Sequence, residues 1–393
     1  MPTRSMLHSI LDNDFYKFTM QNAVVKLFPN AHARYSFINR GEHAFPPGFG
    51  ERLREQVDAM AALRLTSEER HFLEVTCPYL DPTYHDFLEG FRYKPHEITI
   101  DQQGEVLNVT IEGLWYRTIL WEVPLMTLIS QIWYEMLDEQ RDSDELVAQR
   151  TREKIEHYGE LGVRIAEFGT RRRHSYAVHD LVVSTLKRYG GSTFTGTSNV
   201  HMAHRHGVKP LGTHAHEWFM FHAARFGFKM ANTLALENWV EVYRGDLGIA
   251  LSDTFTTQVF FEGFDKMFAK LFDGIRHDSG DPIEFAKATI DHYEHYGIDP
   301  RSKTIIFSDA LDTHKVEKIT RFCEGRIGMS FGIGTNFTND VGLKPMNMVV
   351  KMTETRPEGD QWLPVVKLSD IRAKNTGDPG MIHLARRILS LPQ

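Results

Sequence analysis

The 393-residue chain carries two cysteines, Cys77 and Cys323. Two thiols cannot build a disulfide framework, and they fit a reducing compartment. Positive charge is not in excess, since 45 Lys and Arg stand against 52 Asp and Glu, a formal net charge of -7. Binding to nucleic acid or to an anionic membrane through bulk electrostatics is therefore not expected. No long hydrophobic run exists either. The most apolar stretch, 113–137, is broken by Arg117, Glu122 and Glu135, which excludes a membrane span there. Asp12, Asp14 and Lys17 interrupt any signal core at the start, so the expected location is cytoplasmic. The phosphate-binding Gly-x-x-x-x-Gly-Lys-Ser/Thr motif is missing, and any use of ATP is not of the P-loop type. Neither a Gly-x-Gly-x-x-Gly opening a dinucleotide fold nor a Gly-x-Ser-x-Gly elbow occurs. Internal repeats and low-complexity segments are also lacking.

What is present is an ordinary globular composition, 41% hydrophobic and 25% charged. A chain of this length can bury a large core without staples. It suggests two or three domains, or one large barrel with an appendage. One count is high, the 20 His, and it directs attention to metal binding or to proton and phosphoryl chemistry.

The patterning changes along the chain. Residues 21–28 have helical spacing and stop at Pro29. Residues 33–38 alternate as a strand, 51–63 form an amphipathic helix, and 97–100 with 106–111 form a hairpin. A buried helix lies within 119–137, with Pro124 near its start, and the charged segment 138–145 reads as a boundary loop. From about residue 150, short apolar runs alternate with polar or Gly-rich tips and helical patterns. The runs are 163–168, 193–195, 210–212, 248–251, 274–276, 304–307 and 329–333. This is the pattern of βα units around a parallel sheet, and seven runs suit a closed, irregular (β/α) barrel. Strand-like text returns at 348–352 and 364–368 and is expected to pair with the N-terminal strands. The expected division is a discontinuous α+β sheet domain, 1–140 with 345–393, and an α/β barrel catalytic domain, 141–344.

Barrel chemistry sits on the loops that follow the strands. Those tips converge as a polar, glycine-rich set. Gly332-Ile333-Gly334-Thr335 can offer backbone N–H groups to a phosphate, or be a plain strand-to-helix turn. Asp278-Ser279-Gly280-Asp281 can accept from ribose hydroxyls or hold Mg²⁺, or be an Asx turn before Pro282. Arg171-Arg172-Arg173 can fork onto anions, or be a solvated charge run. His214 and His216, with Asp309, can be read as the ligands of a metal-dependent hydrolase. Alternatively, His216 oriented by Asp253 is a nucleophile. His201, His204 and His206 lie on a helical segment and are expected to face solvent.

Five motifs, in order, resemble the bacterial nicotinate phosphoribosyltransferases. They are Asp12-Asn13-Asp14-Phe15-Tyr16-Lys17-Phe18-Thr19-Met20, Glu167-Phe168-Gly169-Thr170-Arg171-Arg172, Gly212-Thr213-His214-Ala215-His216-Glu217-Trp218, Arg276-His277-Asp278-Ser279-Gly280-Asp281-Pro282 and Phe331-Gly332-Ile333-Gly334-Thr335. The resemblance implies an enzyme of NAD salvage that joins nicotinate to 5-phosphoribosyl 1-diphosphate with coupled ATP hydrolysis, classed as a ligase forming a C–N bond. It implies Mg²⁺ carried with the phosphoribosyl donor and ATP, not a direct protein cage for a metal. The implied fold is an irregular α/β barrel of the type II phosphoribosyltransferase kind, plus a smaller sheet domain built from both chain ends. The implied assembly is a homodimer with shared active sites.

Residue by residue, the resemblance makes His216 the histidine that ATP phosphorylates, and Asp253 the carboxylate that orients it. Phe168 stacks on the pyridine ring, and Tyr16, from the partner subunit, covers the other face. Arg276 and Thr213 bind nicotinate, Asp278 holds the ribose, and Gly332, Gly334 and Thr335 hold the 5-phosphate. Arg40 and Lys367 reach phosphates in the neighbouring subunit. Arg171, Ser279 and Asp309 complete the substrate-binding set. Nicotinamide-using relatives have an acid where Ser198 and Asn199 stand here, so the neutral loop favours the acid substrate.

Overall fold

The computed structural model describes residues 5–392. In chain order its strands are β1 (His32–Asn39), β2 (Ile98–Gln103), β3 (Val106–Leu114), β4 (Ile165–Glu167), β5 (Phe194–Thr197), β6 (Ile249–Leu251), β7 (Gly274–His277), β8 (Thr304–Phe307), β9 (Gly328–Ile333), β10 (Met348–Arg356) and β11 (Leu363–Pro364). They form two sheets. An antiparallel one has the order β11-β10-β1-β3-β2, and a parallel one the order β5-β4-β9-β8-β7-β6.

The antiparallel sheet joins the two ends of the chain, since β1 pairs with β10 from His32 to Asn39. Its alternation is clean in β3, where Leu107, Val109 and Ile111 point into the core and their neighbours face out. The helix Glu122–Leu137, with Pro124 in its first turn, packs against β10 and against the turn after β4, where Thr127 and Ser130 donate to Thr170 O and Arg173 O. Its residues from Glu122 to Ser130 are all buried.

The parallel sheet curls into an irregular barrel whose edges, β5 and β6, do not pair with each other. The segment around residues 209–214 fills the gap. Leu211 N–H donates to Thr197 O, and Thr197 N–H to Lys209 O. On the other side Thr213 Oγ1 donates to Ile249 O at 3.0 Å, and Leu251 N–H to His214 Nε2 at 3.1 Å. The expected strand 210–212 is thus one isolated bridge, not a ladder. Pro210 has no N–H to continue the pairing.

A second departure concerns the first helix. It spans Phe15–Leu27, starting six residues earlier than the spacing suggested, and every residue from Phe15 to Val24 is buried. A helix buried on all sides leaves no amphipathic stripe to mark its start. The histidines of the helix Val200–His206 also differ from expectation. They are half-buried, with His201 Nε2 2.9 Å from the Tyr176 hydroxyl and His206 Nε2 2.8 Å from Asp180. Cys77 and Cys323 are free and buried, and burial pushes both thiols up to about 12. Among the described residues no helix is long and apolar enough to cross a membrane.

Candidate active site

The loops at the carboxyl ends of the parallel strands open onto a cavity of about 600 Å³. Its wall includes Tyr16, Arg40, Glu122, Arg171, Arg172, His216, Glu217, Arg276, Asp278, Asp309, Thr335, Lys351, Lys367 and Lys374. Cations dominate this wall, and clustered cations raise the local concentration of anionic ligands. Burial and the neighbouring Arg171 and Arg40 lower Arg172 to about 10. Burial also lowers Lys351, to about 8, although Glu122 opposes the shift.

His216 opens the helix His216–Phe226. Its Nε2 lies 2.8 Å from Asp253 Oδ1 and 3.5 Å from Asp278 Oδ2. Asp253 follows β6, and its second oxygen accepts from Ser279 Oγ at 2.6 Å and faces Lys367 Nζ at 3.2 Å. Burial would push the Asp253 carboxyl up, but His216, Lys367 and Ser279 hold it well below the usual carboxylate range. Burial and the Lys367 charge push His216 down to about 4. The ring is therefore neutral and the carboxylate charged at neutral pH. A carboxylate at Nε2 fixes the proton there and leaves the lone pair on Nδ1. Asp278 is held near 2, because Arg276 and His216 outweigh its burial, and it accepts from Ser308 Oγ at 2.8 Å.

Two glycines seat the two aromatics named from the sequence. Gly212, at φ +154, lets the Tyr16 backbone approach, since a Cβ there would lie 2.8 Å from Tyr16 N. Gly332 receives the ring of Phe168, and a Cβ there would lie 2.3 Å from Cδ2 of that ring. Phe168 is half-buried and is not among the residues of the cavity wall, and its N–H donates to Ile333 O.

Several expected contacts are arranged differently. Tyr16, Arg40 and Lys367 line the same cavity as His216 within one chain. The first helix docks on its own barrel through Ser198, whose hydroxyl donates to Asp14 at 2.7 Å, and through the Lys17–Glu217 pair. Ser279, expected on substrate, gives its hydroxyl proton to Asp253 and accepts from Ser369. Thr213 uses its hydroxyl to close the barrel. Gly332 and Gly334 lie behind the wall, and Thr335 is the member of that turn that reaches it. The neutral loop at Ser198 and Asn199 is not free of acid, because Asp14 meets Ser198 and Asp12 meets Asn199.

The three consecutive arginines diverge. The 3₁₀ turn Thr170–Arg172 sends Arg171 and Arg172 to the cavity, while Arg173 is fully buried and gripped by both oxygens of Asp12 at 2.7 and 2.8 Å. Removing one member of such a buried pair costs about 3–5 kcal/mol. The metal set His214, His216 and Asp309 is not assembled. His214 accepts a backbone N–H and packs on Trp239 and Phe219, and Asp309 pairs with Lys374 at 2.7 Å.

Sequence reasoning assigned no role to Lys17, Glu122, Glu217, Lys351 or Lys374, and read Arg172 only as part of an anion-binding run. Charge embedded in apolar text was the available signal, clearest at Glu122 within 113–137.

Two family models match the chain. The nicotinate phosphoribosyltransferase family model covers residues 163–393, and the N-terminal domain model of the same family covers 11–130. The nicotinate phosphoribosyltransferase of Chromohalobacter salexigens is 73% identical, over 98% of this chain and 99% of its own. That of Desulforapulum autotrophicum is 48% identical, over 95% and 96%. The crystal structure of nicotinate phosphoribosyltransferase from Porphyromonas gingivalis superposes with a TM-score of 0.96 at 46% identity, covering 98% of this chain and 100% of that one. The strand-end cavity, the two-sheet fold and matches spanning both sheets lead to one conclusion: the chain belongs to the nicotinate phosphoribosyltransferase family.

Proposed function

We propose that this protein transfers the phosphoribosyl group of 5-phosphoribosyl 1-diphosphate to the ring nitrogen of nicotinate, with ATP hydrolysis coupled through phosphorylation of His216. The observation that carries the reading is a neutral His216, held by Asp253, in a cationic cavity that also contains Asp278. Family membership supports the same chemistry.

The pyridine ring lies between Tyr16 and Phe168, at the distance that ring-nitrogen attack on ribose C1 needs. The buried Arg276 Nε has no hydrogen-bond partner and supplies a donor for the substrate carboxylate. The ring nitrogen bonds to C1 as the C1–O bond to diphosphate breaks, and positive charge develops at C1. Asp278 stabilises that charge, while Arg40, Arg172, Lys351 and Lys367 receive the phosphates. Mg²⁺ fits as an ion carried by the substrates. Asp278 and Asp309 are cavity carboxylates, whereas Asp253 and His216 Nε2 are already committed to each other. When bound, it supplies charge neutralisation for the departing diphosphate.

In the coupled half of the cycle, His216 Nδ1 attacks the terminal phosphorus of ATP and ADP leaves. The added negative charge tightens binding of the phosphoribosyl donor, and hydrolysis of the phosphohistidine resets the site. An assay of the purified protein with nicotinate or nicotinamide, with and without ATP, tests the reading. Nicotinate mononucleotide from the acid, stimulated by ATP, is expected. Absence of product from both pyridines would overturn it.

The family resemblance also supports a homodimer with shared active sites. Light scattering is expected to give a mass twice that of the chain, and a fully active monomer would overturn this part of the reading. Gly332→Ala should displace the Phe168 ring. The KM for nicotinate is then expected to rise about two- to tenfold, from the ~0.5–1.5 kcal/mol of an aromatic contact, with the KM for the phosphoribosyl donor unchanged.

A further inference from the structure

Two carboxylates, Glu122 and Glu217, stand in the wall of a cavity read as a site for anions. Beneath them lies Lys17, fully buried and absent from the wall itself. Its ammonium is 2.5 Å from Glu122 Oε2 and contacts Glu217 Oε1. Glu217 Oε2 accepts from the Tyr35 hydroxyl at 2.7 Å, while Glu122 Oε1 only faces Arg171 Nη1 at 3.8 Å, too far for a hydrogen bond. Lys17 Nζ sits 5.4 Å from the centroid of the Tyr16 ring, so this charge unit borders the aromatic that covers the pyridine. Burial disfavours the ammonium, but the two carboxylates outweigh it and hold Lys17 charged.

We propose that Lys17 is a specificity residue: by neutralising Glu122 and Glu217 and occupying one oxygen of each, it makes the cavity select a pyridine carboxylate over the corresponding carboxamide. This rests on the reading of the cavity as a pyridine site. The two substrates differ in one respect that the wall can sense. A carboxamide offers an NH₂ that needs an acceptor, and a carboxylate offers only acceptors and a negative charge. Free carboxylates beside Tyr16 would accept from the amide and repel the acid. With Lys17 between them, most of their charge is neutralised, three of their four oxygens are taken, and the wall offers the donors of Arg171 and Arg276. The acid is then not repelled, and an amide NH₂ finds fewer acceptors, which is how a polar site disfavours a near-isostere.

The test compares kcat/KM for nicotinate and nicotinamide in the wild type, Lys17→Met and Glu217→Gln, each checked for folding by circular dichroism and thermal melting. Lys17→Met is expected to lower the acid-to-amide ratio at least about tenfold, through weaker use of the acid and gained use of the amide. An equal loss on both substrates, with the ratio unchanged, would mean that Lys17 serves only the fold, and would overturn the proposal. Glu217→Gln removes a wall charge while Glu122 still pairs with Lys17, so the ratio should hold or rise. A tenfold fall there would overturn the proposal even if Lys17→Met fails to fold. Wild type inactive on both pyridines would sink the parent reading, and the wild-type control separates that failure from this one.

Discussion

Asp253→Asn is expected to eliminate the ATP-stimulated part of nicotinate mononucleotide synthesis while leaving a slower ATP-independent rate. The reason is the direction of one proton. Asp253 Oδ1 accepts from His216 Nε2, and its other oxygen accepts from Ser279 while facing Lys367. In the asparagine variant, the oxygen keeps the Ser279 and Lys367 side and the NH₂ turns to His216. An NH₂ donates, so the imidazole must present its lone pair at Nε2 and carry its proton on Nδ1. The nucleophilic nitrogen is then blocked with almost no change in shape. Tautomer reversal of this kind costs about 10⁴-fold in a serine–histidine–aspartate triad, and a loss of about 10³–10⁴ in phosphohistidine formation is expected here. Rapid-quench trapping of labelled phosphate on the protein reads that step directly. His216→Asn provides the limiting case, with no label at all. Full ATP coupling in either variant would remove the phosphohistidine from the mechanism.

The second large effect is at Asp278. Its carboxylate is ionised across the working pH range, because Arg276 and His216 outweigh the burial that would protonate it. Asp278→Asn keeps the volume and the acceptor for Ser308 Oγ, and removes only the charge. Positive charge appears at ribose C1 in the transition state and not in the bound substrates, so the loss belongs in kcat. Removing one preorganised group of this type costs about 10²–10³-fold. The KM for nicotinate should change little, and the melting temperature should hold or fall slightly, because the depressed carboxylate is net stabilising beside Arg276 and His216. A kcat within threefold of wild type would show that Asp278 is not the stabilising group.

Much of the fold was legible in the sequence. The alternation of β1 and β3, the helix around Pro124 and the run of strand, polar tip and helix after residue 150 come from local periodicity, which neighbours in the chain dictate. The early start of the first helix was hidden because all its faces are buried. The segment 210–212 has strand-like composition but carries a proline, and it closes the barrel with one bridge and side-chain hydrogen bonds. Among the candidate site residues, Tyr16, His216, Arg276, Asp278 and Thr335 were read from motif text and do line the cavity. Ser279 and Thr213 sit in the same motifs, yet their hydroxyls are tied to Asp253 and Ile249. Motif text marks which loop reaches the cavity, not which side chain on it is left without a partner.

The sequence by itself determined the strand-end loops, and the lack of a disulfide framework and of a P-loop. Those properties are local or compositional. Only the tertiary structure decided that Arg171 and Arg172 face the cavity while Arg173 is locked to Asp12, and that Lys17 lies between Glu122 and Glu217. Residues so far apart in the chain meet through packing. A buried charge is tolerable only where a partner meets it in space, and no spacing along the chain encodes that meeting.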